Sequence, residues 1–155
     1  MNRLFKLQCL LIDEIDSKDD KDRDQPLYWE KIHMASCGRL GYILAEKRGY
    51  DTDLASCASA IHDFGRIQTG KQKGHAEAGY EPVKVFLKNS GLFTDEEVEM
   101  IAVAVKNHSS KSEVGGWLEE IVKDADVLDY SMYGNRMPRQ EQQERLERLR
   151  KQNEY

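Results

Sequence analysis

A chain of 155 residues, 33% charged and 39% hydrophobic, is long enough for one buried core and has the makeup of an ordinary globular domain. Its formal net charge of −5 argues against a nucleic-acid polymer as main partner, since a phosphate backbone needs a basic surface; a small phosphorylated ligand in a local basic pocket stays open. No apolar run approaches the roughly 18 residues of a membrane span, and acids break the first apolar run after residue 12, which predicts no signal peptide and a cytoplasmic protein.

Helical periodicity recurs along the chain, and strand-like alternation does not. Leu4, Leu7, Leu11 and Ile15 predict a first helix near residues 2–16. SKDDKDRDQP then reads as a solvated loop, whose aspartates lack the glycine and spacing of a calcium loop. A second helix is expected over 27–48, carrying Trp29, His33, Leu40 and Leu44 and closed by Lys47, Arg48 and Gly49. A third starts near Thr52 with Leu54, Ala58 and Ile61 on one face; its small residues Ala55, Ala58, Ser59 and Ala60 let a neighbouring helix come close. GRIQTGKQKG, residues 65–74, reads as a loop.

The fourth helix is expected over 75–89, with Val83, Phe86 and Leu87 inward and Pro82 kinking or splitting it. TDEE at 94–97 is a capping box that opens the fifth, followed by Val98, Ile101, Ala102 and Val105. After the loop SSKSEVGG, a sixth runs over about 117–133 with Ile121, Ala125, Leu128 and Met132 on one stripe. Beyond Pro138 the pairs Glu141–Arg145, Glu144–Arg148 and Glu147–Lys151 predict a solvated helix. Apart from Tyr155, its apolar residues are Leu146 and Leu149, so it is expected to dock weakly or to meet another subunit, which would allow a homodimer. The expectation is an all-α helical bundle of about six core helices plus a polar C-terminal helix. It divides into an N-terminal helix and acidic loop (1–25), a central domain (26–135) and a polar tail (136–155). Cys9, Cys37 and Cys57 lie singly among apolar neighbours and read as buried free thiols in a reducing compartment. The sequon at 107–109 means nothing without secretion.

AIHDFGR, residues 60–66, ends a buried helix with a histidine and an aspartate, a costly pair unless something compensates it. The other histidines, His33, His75 and His108, also fall on helices or at helix ends, and Asp126 shares a face with Val122 and Tyr130. Singly, each histidine is more simply a structural residue. Together, imidazoles and carboxylates from several helices of a bundle, without cysteine, form the ligand set of a hard to borderline metal such as iron, manganese, cobalt, nickel, zinc or magnesium.

The order of His33, His62-Asp63 and Asp126, with AIHDFGR, GHAEAGYEPVKVFL, VKNHS and VKDADVLD in sequence, resembles the HD-domain superfamily of metal-dependent phosphohydrolases over roughly residues 30–130. The resemblance implies that His33, His62, Asp63 and Asp126 hold one divalent metal. It also implies that His75 and His108 help to hold a second, with Asp63 bridging. Asp129, one turn from Asp126, could orient a ligand. The GYP motif of the cyclic-di-GMP phosphodiesterase branch is absent, and HDFGRI lacks the paired acid of guanosine tetraphosphate hydrolases.

The implied reaction is hydrolysis of a small phosphorylated metabolite or nucleotide by a metal-activated water. Asp63, Arg66 and Lys73 are the expected catalytic residues, and Arg39, Arg66, Lys71 and Lys73 the expected substrate-binding cations. Two other readings share the same residues: a di-iron oxygenase of the same superfamily, and a non-catalytic nucleotide-binding module.

Overall fold

The structure is a computed structural model that describes residues 2–134 and 136–152, and every regular element among them is helical. In chain order these are α1 (Arg3–Asp16), α2 (Leu27–Arg48), α3 (Thr52–Ile61), α4 (Phe64–Thr69), α5 (His75–Ser90), α6 (Asp95–Asn107), α7 (Trp117–Met132) and α8 (Gln140–Gln152). Of the predicted α1 stripe Leu7, Leu11 and Ile15 are fully buried and Leu4 is half-buried against the core, and α1 packs across α2 and α3. Helix α2 is the spine, with α3 along one side and α7 along another, while α5 pairs with α6 and α4 bridges to α5. One core of mainly aliphatic side chains joins all of these, and it includes Phe64 as well as Leu146 and Leu149 of α8.

Two glycines set the distances that matter. A Cβ on Gly41 would fall 2.3 Å from Ser59 Oγ and 2.8 Å from the Ala55 carbonyl, so α2 and α3 touch almost backbone to backbone. A Cβ on Gly65 would fall 1.9 Å from the His75 carbonyl and 2.7 Å from the Gly79 nitrogen. The glycine two positions after Asp63 therefore lets the start of α5 lie directly against α4.

The structure differs from expectation at several points. The segment read as a loop from residue 65 begins with a short helix, α4, because Phe64, Arg66 and Ile67 are buried; the loop proper starts at Gly70, with φ +72°. Pro82 does not split α5. Both Pro82 and Ala78, whose carbonyl loses its helical donor, are exposed, so the lost bond is not one a buried core has to replace. Met132 is 58% exposed rather than inward, and Cys9 is exposed while Cys37 and Cys57 are buried free thiols. Helix α8 is anchored, not loosely laid on. Arg145, expected to pair with Glu141 at the surface, turns inward; its Nη1 lies 2.7 Å from Asp124 and 2.8 Å from Glu120, and its Nη2 donates to the Lys111 carbonyl at 2.9 Å. The end of the expected tail, residues 153–155, and residue 135 lie outside the described residues. No described helix is long and apolar enough to cross a membrane.

Candidate metal centre

Five helical segments each bring side chains to one point. His33 comes from the second turn of α2, His62 and Asp63 from the junction of α3 and α4, and His75 from the first residue of α5. His108 caps α6, and Asp126 comes from the middle of α7. The helix-end positions have a local cause. His62 Nδ1 donates to the Ser59 carbonyl at 2.7 Å and His108 Nδ1 to that of Val105 at 2.7 Å, each taking up an orphan carbonyl of its own last turn. His75 Nδ1 donates to the Gln72 carbonyl at 2.6 Å, and His33 Nδ1 to Asp129 at 2.5 Å. Carbonyls and carboxylates only accept, so all four Nδ1 atoms carry a hydrogen, and it is the Nε2 atoms, once free of a proton, that present a lone pair inward.

Those lone pairs converge on Asp63. Its Oδ2 lies 3.3 Å from His33 Nε2 and 3.3 Å from His62 Nε2, and Asp126 Oδ1 lies 3.2 and 3.6 Å from the same two nitrogens. Its Oδ1 faces the other pair, 2.9 Å from His75 Nε2 and 3.4 Å from His108 Nε2. One carboxylate thus turns one oxygen to each of two histidine pairs. His75 Nε2 and His108 Nε2 are themselves 2.9 Å apart, and His33 Nε2 and His62 Nε2 3.3 Å apart. Facing lone pairs at such distances, away from water, repel unless a cation lies with them, and nitrogen and carboxylate donors suit a divalent one. The residues fit such an ion.

Fixed charges hold the carboxylates ionised. Burial alone would raise the Asp63 pKa, but Arg66 and His62 hold it well below the usual range; Lys111 and the histidines do the same for Asp126. Burial lowers the His108 pKa to about 3, keeping it a neutral ligand. His62 goes the other way: Asp63 and Asp126 overcome its burial and lift it to about 10. In the metal-free protein a proton therefore stands in for part of the missing charge, and metal must displace it. Cys37 Sγ also sits close, but at 3.6 Å from His33 Nδ1 and 3.7 Å from Nε2 it is against the ring, not beside the lone pair. Burial raises its pKa, so it stays a packed thiol.

Beside this cluster is a cavity of about 230 Å³, with Trp29, Tyr130, Gln72, Ser109, Arg139 and Gln142 in its walls. Among the expected cations, Arg66 lines it, but with all three guanidinium nitrogens engaged. Nε and Nη2 lie 2.9 Å from the two oxygens of Glu30, Nη1 is 2.8 Å from Gln72, and Nη2 also meets Asp63. Arg39, Lys71 and Lys73 are exposed and do not line the cavity; Lys71 Nζ reaches the Asp22 carbonyl instead. Sequence reading missed Glu30, Lys111 and Arg139. Glu30 had a signal, one helical turn before His33 on the same face. Lys111 had none: it follows two serines in a polar loop, yet its buried Nζ donates to Asp126 at 2.6 Å and to the His108 carbonyl at 2.7 Å.

The family model of the HD domain matches residues 31–131, about two thirds of the chain. The chain belongs to the HD-domain family. All six side chains of the cluster lie within the match. A comparison with curated proteins finds none that matches. Among solved structures, a predicted HD superfamily hydrolase from an uncultured Thermotogales bacterium superposes with a TM-score of 0.64 at 19% identity, over 98% of this chain and 90% of that one. That likeness is one of fold, and it reaches well beyond the HD match at both ends.

Proposed function

We propose that this HD-domain protein is a metal-dependent phosphohydrolase acting on a small phosphorylated metabolite or nucleotide. The observation that carries the reading is Asp63, whose two oxygens face two separate pairs of imidazoles. His33, His62, Asp63 and Asp126 would hold one divalent ion, and His75, His108 and Asp63 a second. Such ions supply Lewis acidity toward phosphoryl oxygens and lower the pKa of a bound water.

The chain's own residues do the rest. Asp129 fixes the ring of His33, aided by a hydrogen bond from Ser36 Oγ. Lys111 takes one oxygen of Asp126 and leaves the other facing the histidines, while placing positive charge in the cavity wall. Arg66, clamped by Glu30, orients Asp63 and acts through it. Trp29, stacked on His33 at a centroid distance of 5.2 Å, and Tyr130 shield the other wall from water. The name of the Thermotogales protein agrees with hydrolysis, and the free buried thiols agree with a cytoplasmic setting.

Elemental analysis of untagged protein purified without oxygen, followed by a phosphate-release screen of small phosphate esters, tests the reading. Two divalent ions per chain and turnover that stops with chelator are expected. No bound metal after reconstitution, or turnover seen only with iron and dioxygen, would overturn it.

A further inference from the structure

A second groove of about 510 Å³ adjoins the inner cavity, and the two share His75, Gln72, Ser109, Pro138, Arg139 and Gln142 in their walls. Arg139 and Gln142 lie outside the HD match, at the start of α8. Among the described residues, three non-histidine cations line the inner cavity: Arg66, Lys111 and Arg139. The side chains of Arg66 and Lys111 are 6% and 1% exposed and committed to Glu30, Asp63, Gln72, Asp126 and a backbone carbonyl. Arg139 differs. Its side chain is 44% exposed; Nη2 donates to the Ser109 carbonyl at 3.0 Å, and Nη1 lies 3.1 Å from Glu141. A solvated pair of that kind is weak, so a ligand anion can replace Glu141. The outer groove adds Lys106, whose Nζ lies 3.7 Å from the exposed Glu77 and 5.2 Å from the centre of the Tyr80 ring.

We propose that the substrate carries, beyond the phosphoryl group at the metal centre, a second anionic group that lies toward the outer groove, and that Arg139 selects it. This rests on the hydrolase reading for the phosphoryl end. An inner cavity of about 230 Å³ holds a phosphoryl group and a few more atoms, and the adjoining groove, where Arg139 stands in the shared wall, has room for the remainder of the substrate. The class is a small phosphoester with a carboxylate or a further phosphate on the part that leaves. A planar guanidinium with free donors binds either one bidentately.

Two probes that cannot be hydrolysed test it: 3-phosphonopropionate and propylphosphonate, which differ by a carboxylate. Calorimetric titration without oxygen, on the full chain as purified and after manganese loading, is expected to show the carboxylated probe binding about tenfold tighter or more. Arg139→Ala should erase that ratio while leaving propylphosphonate affinity and metal content unchanged, and Arg139→Lys should keep part of it. Hydrogen exchange across α8, unchanged in Arg139→Ala, separates lost recognition from an undocked helix. Equal affinities in the wild type, no binding of either probe, or a ratio that survives Arg139→Ala would overturn the proposal. A ratio that depends on Arg139 in a protein that hydrolyses no phosphoester would leave it standing and sink the hydrolase reading alone.

Discussion

Helix α7 carries two aspartates two residues apart, Asp124 buried and Asp126 half-buried, and they live in opposite kinds of network. Asp124 faces α8 and is closed off by arginines: Arg48 at 2.7 Å, Arg145 at 2.7 Å and Arg148 at 3.1 Å. Every charge there has its partner within the chain. Asp126 faces the histidines, where carboxylates meet imidazole lone pairs and the arrangement is incomplete without a proton or a metal. A buried network that closes on itself holds structure together; one left open with its donors aligned is built to take something in. Lys111 belongs to both, its side chain on Asp126 and its carbonyl on Arg145.

The largest effect should come from the open network. Asp63→Ala removes the carboxylate that serves both histidine pairs, so metal content should fall to near zero. Activity should drop far beyond the roughly 100-fold that loss of a residue outside the ligand set costs. Metal should also cease to raise the melting temperature, since that rise comes from binding to the folded state. Circular dichroism should remain helical, because Asp63 caps no helix by its side chain. Retained metal in this variant would break the contrast at its root.

The closed network should answer in stability instead. Arg145→Met keeps the bulk of the side chain but leaves Asp124 and Glu120 short of a buried cation. Breaking a buried pair costs about 3 kcal/mol or somewhat more; with Arg48 and Arg148 still on Asp124, the low end is expected, read by urea unfolding. Metal stoichiometry should not change. Loss of metal along with stability would show that Lys111 couples the two sites mechanically.

How far each network could be read from the sequence follows the same division. The open one was legible because its chemistry restricts residue types: a chain with four histidines set all of them at helix ends or on a core face, next to HD and ahead of an aspartate on α7. The helices themselves followed from periodicity and caps, as the capping box of Thr94 and Glu97 shows at the start of α6. The closed network was invisible. Arg145 in RQEQQERLERLRKQ looks like any surface arginine with an acid four residues before it, and only the packing of α8 on α7 turns it inward. Lys111 and Arg139 escaped for the same reason, since a lysine after serines or an arginine after a proline has no periodic pattern that marks burial or a cavity. The loop cations Lys71 and Lys73 looked better placed because they follow the HD pair in the chain. Helix α4 intervenes and carries them to the surface.

The smallest expected effect concerns acid. Burial would raise the pKa of Glu120, but Arg145 and the Gly115 amide at 3.0 Å outweigh it and hold the pKa below the ordinary 4.5. A carboxylate with a lowered folded pKa stabilises the protein fully above its unfolded value, and that contribution is lost as pH falls through the folded value. The hold on α8 should therefore weaken only below about pH 4.5 and be indifferent to pH near neutrality. Glu120→Gln should flatten the acid limb of the stability profile there. Metal binding should lose affinity at higher pH than this, since protons on His62, with its pKa of about 10, compete with metal through the neutral range. Parallel titrations of unfolding and metal affinity should thus separate, the open network responding to protons well before the closed one. If both fall together below pH 4.5, His62 is not the competing group and the two halves of α7 act as one.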